Sequence, residues 1–372
     1  MNSVALVIPD MPFCLGAMAT PENPAGLPNV YPFRLEINHA LGRLEQAVDA
    51  GLDEALGHAY RVGNEMGTPS DNTELGRPYV QDFMRFIEQS SPDRGALLEI
   101  GAGTGFMSKC LARAGWAVSS IEPGRGYQRY WEMHGVQVVN DFFPSEHIRG
   151  QFDAIVFYTV LEHIKDTKAF LNSVKTQLKP AGKIILAVPD CTDEIAAFDP
   201  SILLHEHFHY FTSGSLENTL AEAGFAAAVE VGRFGRSLFA VGTLAESNLR
   251  TDVSQACISN LETFTANIPK VRSNVQEALA HWVELGDVGM YCPSRLLNFA
   301  PVGGRFLFYD DAVGIQGKYY PPFESPVGSR EKLFVDSPRT VLIGSRTFGE
   351  KLKSELVAAG LKSNIVLLSD LT

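Results

Sequence analysis

The sequence predicts an α/β protein whose central domain is a parallel β-sheet that ends in an antiparallel hairpin. Between residues 76 and 245, short apolar runs alternate with segments of helical periodicity, which is typical of a parallel sheet covered by helices on both faces. Two further runs follow a predicted helix at Ser213–Ala223, and the short glycine-containing segment between them indicates a hairpin. The predicted strands are Ala96–Ile100, Ala117–Ile121, Val136–Val139, Ala154–Tyr158, Lys183–Val188, Ala226–Val231 and Leu238–Leu244.

The sequence predicts both ends of one helix in this domain. Phe170, Leu171 and Val174 share one face of a predicted helix that follows Asp166. An aspartate at that place is a typical N-cap. Pro180 and Gly182 come next, and both residues favour the end of a helix.

Less regular regions flank the central domain. Residues 1–75 contain repeated prolines that exclude long elements, apart from one helical stretch near Arg43–Tyr60. Residues 246–372 begin with a long polar helix that Pro269 could interrupt, and they continue as a smaller α/β unit. We therefore expect an N-terminal module at 1–75, a central domain at 76–245 and a C-terminal domain at 246–372. The sequence of the C-terminal domain predicts strands at Gly289–Met290, Phe306–Tyr309, Val341–Ile343 and Ile365–Leu368 and a helix at Lys351–Ala359.

Composition excludes several classes of protein. The 372 residues carry a net charge of −12, which disfavours nucleic acid as a partner. The five cysteines are far apart and form no C-x-x-C pair, which disfavours a disulfide framework and favours a reducing cytoplasm. We expect neither a membrane span of about 20 apolar residues nor a signal peptide, and hence a cytoplasmic location.

The strongest functional signal is the glycine-rich segment Glu99-Ile100-Gly101-Ala102-Gly103-Thr104-Gly105, which follows a predicted strand and opens a helix. Glycines at alternate positions let the backbone turn sharply and approach a ligand closely. Glu122 ends the next strand, about twenty residues on, where a ribose-binding carboxylate belongs. The segment therefore predicts a nucleotide or nucleoside site.

This pattern resembles motif I of the class I S-adenosylmethionine-dependent methyltransferases, which have a Rossmann-like sheet. The resemblance implies that Gly101, Gly103 and Gly105 cradle the aminoacyl end of S-adenosylmethionine. It also implies that Glu99 lies near the amino group of this cofactor and that Glu122 accepts the ribose hydroxyls. Asp141 and Phe142, which follow the third predicted strand, would bind and cover the adenine. Two more segments resemble this family, Val160-Leu161-Glu162-His163-Ile164 and Leu178-Lys179-Pro180-Ala181-Gly182.

A second cluster, His205-Glu206-His207-Phe208-His209, follows the fifth predicted strand. In an extended segment the three histidines would share one face and could bind a divalent metal, although the H-E-x-x-H spacing is absent. The segment could also be a polar loop. The interpretation we favour is acid–base chemistry by Glu206 and His207 together with His163, because all three follow strands whose carboxyl ends meet at one sheet edge. We therefore expect no metal ligands.

The histidine cluster and the C-terminal region resemble the sugar C-methyltransferases that act on nucleotide-linked deoxy-ketosugars. In that family a zinc-binding N-terminal module precedes the methyltransferase domain, a second Rossmann-like domain follows it, and the substrate lies between domains. The family's C-x-x-C-G is missing around Asn38, Leu41 and Gly42, and Cys14 stands alone, so the resemblance implies a degenerate module without zinc. The C-terminal segments that resemble the family are Phe308-Tyr309-Asp310-Asp311, Gln316-Gly317-Lys318-Tyr319 and Val341-Leu342-Ile343-Gly344-Ser345.

Together these residues predict a methyltransferase that uses S-adenosylmethionine and acts on a small biosynthetic metabolite, with a nucleotide-linked sugar favoured. Leu204 stands where the sugar enzymes usually have a tyrosine, so either C- or O-methylation remains open. Arg295, Arg305 and Lys318 could bind a substrate phosphate or be solvated surface charges. The other open functions are O- or N-methylation of a non-sugar metabolite and a non-catalytic scaffold that binds S-adenosylmethionine. The oligomeric state is also open.

Overall fold

Three β-sheets occupy the N-terminal, central and C-terminal parts of the computed structural model, which describes residues 4–13, 16–23, 27–61, 77–245, 252–346 and 348–371. Cys14 therefore lies outside the described residues. The N-terminal part contains strands β1 (Val4–Ile8), β2 (Phe33–Asn38) and β3 (Arg43–Gln46) and helix α1 (Ala50–Arg61). The strands pair antiparallel in that order.

The prediction of one helical stretch near Arg43–Tyr60 is wrong in its first part. Residues 43–46 form β3, which is paired on both edges and largely buried. The helix begins only after Asp49, whose Oδ1 accepts a hydrogen bond from the Leu52 amide at 2.9 Å. Tertiary pairing outweighs the local helical preference of a four-residue segment of this kind.

The turn between β2 and β3 contains the positions Asn38, Leu41 and Gly42, at which we expected a degenerate module without zinc. Here Asn38 Oδ1 accepts hydrogen bonds from the amides of Ala40 and Leu41, both at 3.1 Å. Asn38 Nδ2 donates to Glu45 Oε1 across the hairpin at 2.8 Å, and Gly42 supplies a left-handed residue at φ 63°. The Asn38 side chain thus closes this turn together with a backbone hydrogen bond from the Gly42 amide to the Asn38 carbonyl at 2.8 Å.

The central part contains the predicted alternation of strands and helices and forms a six-stranded sheet of order β5-β4-β6-β7-β10-β9. The first four strands are mutually parallel, and β10 pairs antiparallel with both β7 and β9, so the expected α/β fold with a terminal hairpin is confirmed. Its elements are α2 (Arg77–Ser90), β4 (Ala96–Ile100), α3 (Phe106–Arg113), β5 (Ala117–Ile121), α4 (Gln128–His134), β6 (Phe152–Tyr158), α5 (Thr167–Gln177), β7 (Leu178–Pro189), α6 (Thr192–Ala196), β8 (His209–Tyr210), α7 (Ser213–Glu222), β9 (Phe225–Val231) and β10 (Ser237–Leu244).

Two local predictions for the central part have different outcomes. Asp166 caps α5 as expected and accepts a hydrogen bond from the Ala169 amide at 2.9 Å. The predicted strand Val136–Val139 is wrong, because Val139 forms only an isolated parallel bridge with Ile121. The chain leaves the sheet at Asn140, whose amide side chain donates instead to the Glu122 carbonyl at 2.8 Å.

The short strand β8 belongs to the N-terminal sheet although it follows the central strand β7. It pairs antiparallel with β3, with Tyr210 opposite Leu44 and His209 opposite Glu45. Residues just before β8 are bound to the same sheet, because the Gln46 amide donates to the Phe208 carbonyl at 2.9 Å. The histidine-rich segment is therefore held between the N-terminal and central parts.

Helix α8 (Gln255–Leu285) connects the N-terminal and C-terminal cores, and it is continuous through Pro269. Its first half packs Leu261 and Phe264 against the N-terminal sheet, whereas Val275 and Leu279 pack in the C-terminal core. None of the helices in the described ranges is long and apolar enough to cross a membrane.

The C-terminal part forms a five-stranded parallel sheet of order β13-β12-β11-β14-β15. The strand order reverses between β12 and β14, on either side of β11, as in doubly wound folds. Its elements are β11 (Val288–Tyr291), β12 (Phe306–Tyr309), β13 (Val327–Gly328), α9 (Arg330–Asp336), β14 (Thr340–Ile343), α10 (Gly349–Ala358) and β15 (Asn364–Leu367).

Replacing Asn38 by alanine should lower the free energy of unfolding by about 1 kcal/mol, because a capping side chain of this kind contributes roughly that much. Urea denaturation followed by circular dichroism measures the change. The matched control is His39→Ala, an exposed neighbour in the same turn, which should leave the unfolding free energy unchanged. Equal effects of the two substitutions would contradict the role given to Asn38.

Candidate active site

A cavity of about 610 Å³ lies at the carboxyl edge of the central sheet and is walled on one side by α1. Nine of the ten residues selected from the sequence line it: Glu99, Gly101, Gly103, Glu122, Asp141, Phe142, His163, Glu206 and His207. The tenth, Gly105, does not line it. Gly105 precedes α3 at φ 76° and faces Val136 and Trp131, so its requirement for glycine comes from its left-handed backbone and from packing.

The glycine turn after β4 has the open backbone that the sequence predicts. Gly101 has φ 77°, and a Cβ built on it would lie 2.4 Å from Val160 Cγ2. Gly103 has φ 49°, and a Cβ there would meet no atom within 4 Å. Only glycine adopts such angles easily. The turn therefore presents bare backbone at Gly103 to the cavity.

Glu99 is the fourth residue of β4 and is almost fully buried. Its Oε2 accepts hydrogen bonds from the hydroxyls of Ser108 and Ser120. Burial raises the pKa of Glu99 to about 7, although the two hydroxyls partly oppose this shift. A cation that enters the cavity beside Glu99 would stabilise the ionised carboxylate.

Glu122 follows β5 and reaches back over the glycine turn. Its Oε2 accepts a hydrogen bond from the Gly103 amide at 2.9 Å, and its Oε1 accepts one from the Gly124 amide at 2.7 Å. Burial raises its pKa, whereas the two amides favour the ionised form. The carboxylate is thus held in place by backbone donors and can still accept ligand hydroxyls.

Asp141 and Phe142 form an exposed rim of the cavity. Asp141 Oδ1 accepts a hydrogen bond from the Phe142 amide at 2.8 Å, and its Oδ2 accepts one from the Ser145 hydroxyl at 2.6 Å. These bonds lower the pKa of Asp141. The Phe142 side chain is 54% exposed, which is unusual for a phenylalanine and leaves its ring available to a planar ligand.

The histidine segment does not present its three imidazoles on one face. His205 packs among Phe13, Tyr31 and Phe33 of the N-terminal part, and its Nε2 lies 3.0 Å from the Tyr31 carbonyl. His209 bonds to the Ile164 carbonyl at 2.9 Å. The segment turns at residues 204–207 before β8 begins, so alternation holds only in its last part. The structure therefore contradicts the hypothesis that His205, His207 and His209 form one metal site.

The structure instead brings His207 against His163, with ring centroids 4.8 Å apart. His163 Nδ1 lies 2.8 Å from the Glu206 carbonyl oxygen, and the Phe208 amide donates to the Glu162 carbonyl at 2.7 Å. These two bonds tie the turn at residues 161–163 to the segment at residues 206–208. The three predicted catalytic residues are thus adjacent, as expected for groups at one sheet edge.

Burial dominates the protonation of this cluster. It lowers the pKa of His163 to about 4 and that of His207 well below its usual value, so both imidazoles are neutral near pH 7. It raises the pKa of Glu206 to about 7 and that of Glu162 to about 8. Arg295 of the C-terminal part adds to the lowering at His207.

Glu162 lies within the segment that resembles the methyltransferase family, but it was not among the predicted site residues. Its side chain lines the cavity and is only 1% exposed, yet neither carboxylate oxygen has a hydrogen-bond partner. A carboxylate inside the apolar segment Val160–Ile164 was the available signal. Asp53 of α1 was also missed, and it reaches Lys165 Nζ across the cavity mouth at 3.0 Å. Nothing in the sequence joins residues so far apart.

Gly101→Ala should destabilise the protein by more than Gly103→Ala. Both substitutions place a side chain at positive φ, which costs about 1–2 kcal/mol, but only the first also drives a Cβ into Val160. Urea unfolding of both variants without ligand measures the difference. Equal destabilisation would show that Val160 moves aside and that the close packing at Gly101 contributes nothing.

Comparisons with known proteins agree with this arrangement. The sequence model of a family described as "Methyltransferase domain" matches residues 74–230. The C-methyltransferase NovU of Streptomyces niveus is 26% identical over 268 residues, 64% of this chain and 64% of that protein. A ubiquinone biosynthesis O-methyltransferase of Paramagnetospirillum magneticum is 35% identical over 115 residues, 29% of this chain and 46% of that protein. The chain thus spans less than two thirds of the length of these relatives.

Among solved structures, the complex of DhpI with S-adenosylhomocysteine aligns with a TM-score of 0.39 at 20% identity, covering 53% of this chain and 98% of that one. The 1,6-didemethyltoxoflavin-N1-methyltransferase of Burkholderia thailandensis aligns with a TM-score of 0.40 at 14% identity, covering 55% of this chain and 96% of that one. On the match at residues 74–230, together with the sheet order and the glycine turn, the chain contains a class I S-adenosylmethionine-dependent methyltransferase domain, and S-adenosylmethionine is its cofactor.

Proposed function

We propose that the protein transfers a methyl group from S-adenosylmethionine to carbon or oxygen of a small biosynthetic metabolite, with a nucleotide-linked sugar as the favoured acceptor. The observation that carries the proposal is the single cavity region that joins the glycine turn, with its carboxylates, to the cluster of His163, Glu206 and His207. We further propose that the reaction takes place in the cytoplasm.

The chemistry of the residues at the glycine turn fits the cofactor. An ammonium and two ribose hydroxyls need acceptors, which Glu99 and Glu122 supply from the cavity wall. The bare backbone at Gly103 leaves room for an aminoacyl group. We assign the ammonium to Glu99, the ribose to Glu122, and the adenine to Asp141 and the exposed ring of Phe142.

At the other end of the cavity, His163, Glu206 and His207 would orient the acceptor and take its proton. When bound, S-adenosylmethionine supplies a methyl group on a sulfonium, which is already an activated leaving group. The protein's own contribution is then position and deprotonation. The Glu206 carbonyl orients the His163 ring.

Arg295 supports an anionic acceptor, because it contributes to the electrostatics at His207 of the cavity. It donates to Glu194 Oε1 at 3.2 Å, as Arg236 does at 2.7 Å, and Arg236 also lies 3.7 Å from Asp193 Oδ2. A phosphate group on the acceptor would compete with Glu194 for Arg295. Arg305, also selected from the sequence, is exposed.

A second candidate is O-methylation of a non-sugar metabolite. It is favoured by the similarity to ubiquinone biosynthesis O-methyltransferases. One of these enzymes is 35% identical to this chain over 115 residues. Leu204, in place of a tyrosine, is compatible with either acceptor.

A screen of candidate acceptors, with S-adenosylhomocysteine as the measured product, tests the function. Nucleotide-linked keto-sugars and phenolic metabolites form the two arms. We expect product with the first class and a matching mass increase of the acceptor. Product only with phenolic acceptors would favour the second candidate. Binding of S-adenosylmethionine without product from either class would favour a scaffold.

Glu122→Ala should weaken binding of S-adenosylmethionine about 10- to 150-fold, because a hydrogen bond to a charged group contributes about 1.5–3 kcal/mol. Isothermal calorimetry measures the dissociation constant. Glu132→Ala, an exposed glutamate on α4, is the matched control and should bind as the parent does. Unchanged affinity in Glu122→Ala would refute the ribose assignment.

Affinity for S-adenosylmethionine should rise about tenfold between about pH 5.5 and pH 7. The pKa of Glu99 is raised to about 7, and only its ionised form attracts an ammonium. The ligand's α-amino group, with a pKa of about 7.7–8, stays charged over that range. Glu99→Gln should lose most of this dependence and retain only the part due to Glu122, whose pKa is also raised. If calorimetry finds the same pH dependence of affinity in the parent and in Glu99→Gln, Glu99 does not bind the ammonium group.

Glu206→Gln should depress turnover roughly 10²–10⁴-fold, the usual contribution of a positioned acid–base group, while affinity for S-adenosylmethionine stays within a few-fold. Single-turnover kinetics with the acceptor from the screen locates the loss in the chemical step. Glu217→Gln, exposed on α7, serves as control. Parallel loss of cofactor binding and thermal stability would instead assign Glu206 to the scaffold.

A further inference from the structure

We propose that Glu162, His163 and His207 form a binding site for one divalent first-row transition ion at the acceptor end of the cavity. The potential ligand atoms of these three residues all lie within 4.8 Å of one another. This set differs from the three histidines of one segment that the sequence offered, and it departs from our expectation of no metal ligands.

The hydrogen bond of His163 fixes the tautomer of its ring. Its Nδ1 lies 2.8 Å from the Glu206 carbonyl oxygen. A carbonyl can only accept a hydrogen bond, so Nδ1 carries the proton and Nε2 carries a lone pair. Histidines that bind metals commonly donate their second nitrogen to a backbone carbonyl or a carboxylate in this way.

The lone pair on His163 Nε2 has the Glu162 carboxyl group as a neighbour. His163 Nε2 lies 3.9 Å from Glu162 Oε1, too far for a hydrogen bond between a protonated carboxyl group and the ring. Two metal–ligand bonds of about 2.1 Å each span up to about 4.2 Å, so a cation between the two atoms fits this separation. The potential ligand atoms of His207 lie within 4.8 Å of the other two, so His207 would have to move closer to them when an ion binds.

Glu162 lines the cavity with a side chain that is only 1% exposed. Neither of its two buried carboxylate oxygens has a hydrogen-bond partner. An unpartnered carboxylate at such a depth is costly unless a cation compensates it. Glu206 Oε2 is likewise buried without a partner beside the cluster.

The ligand chemistry indicates the kind of ion. Two imidazole nitrogens with one carboxylate suit Mn²⁺, Fe²⁺ or Zn²⁺, whereas Mg²⁺ prefers oxygen ligands and water. Three protein ligands leave coordination positions open toward the cavity. The catalytic consequence rests on the proposed function: the ion would coordinate an oxygen of the acceptor and stabilise its deprotonated form.

Metal binding to the full chain tests the site without any acceptor. After chelator treatment and removal of the chelator, MnCl₂ is titrated by electron paramagnetic resonance of free Mn²⁺, and ZnCl₂ by competition with a chromophoric chelator. We expect one ion per chain, weaker binding of Mg²⁺, and nitrogen couplings from two imidazoles in the spin-echo spectrum of bound Mn²⁺.

Glu162→Gln and His207→Asn should each weaken binding by about 100-fold or more, since even groups behind the ligands contribute about 10- to 100-fold. His207→Asn should also remove one of the two nitrogen couplings. The controls are Glu132→Gln and His281→Asn, both exposed and distant along the chain. They should bind the ion as the parent does. Should Glu162→Gln fail to fold, Glu162→Asp and His207→Asn decide the question.

The site is refuted if the parent binds neither Mn²⁺ nor Zn²⁺ tighter than about 1 mM, if Glu162→Gln binds as the parent does, or if bound Mn²⁺ shows no nitrogen coupling. Binding of S-adenosylmethionine is measured on the same preparations. A chain that binds the ion but not S-adenosylmethionine would overturn the proposed function and leave the metal site standing. The reverse result would overturn only the metal site.

Discussion

The pairing of β8 with β3 is the contact on which the acceptor end of the cavity depends. It places His209 and Tyr210 in the N-terminal sheet although the preceding strand belongs to the central one. Gln46 reinforces it, since its amide bonds to the Phe208 carbonyl and its side chain to the His205 carbonyl. Glu206 and His207, between these anchored residues, have little freedom to leave the cavity. The N-terminal part thus supports the site through backbone hydrogen bonds.

The same contact also brings α1 to the cavity. Tyr31, whose carbonyl faces His205, also hydrogen-bonds through its hydroxyl to Asp49, the residue that caps α1. Arg34 pairs with the other oxygen of Asp49 at 2.7 Å. A change in the histidine segment would therefore shift α1, and with it the Asp53–Lys165 pair at the cavity mouth. The cofactor end is independent of this chain of contacts, because it is built on β4 and β5.

Features that depend on residues close in sequence could be predicted, whereas features that depend on distant residues could not. The Asp166 cap, the hairpin of β9 and β10 and the glycine turn depend on residues close in sequence, and all could be predicted. The strand at Arg43–Gln46 could not, because one of its two edges is paired with β8, over 160 residues away. Glu162 was overlooked for the same reason: its missing partners and its proximity to His207 exist only in three dimensions. The three histidines were assigned one face because the turn at residues 204–207 has no proline or glycine to mark it.

The buried carboxylates at the two ends of the cavity are stabilised in different ways. Glu99 has two serine hydroxyls, and Glu122 has two backbone amides, so the protein itself solvates both groups. Glu162 has no side-chain donor of this kind; burial raises its pKa, its own backbone amide partly opposes the shift, and the nearby Glu206 adds to it. Desolvation of a charged group without a partner opposes folding. The cofactor end is therefore organised by the protein, whereas the acceptor end gains its compensation from what binds there.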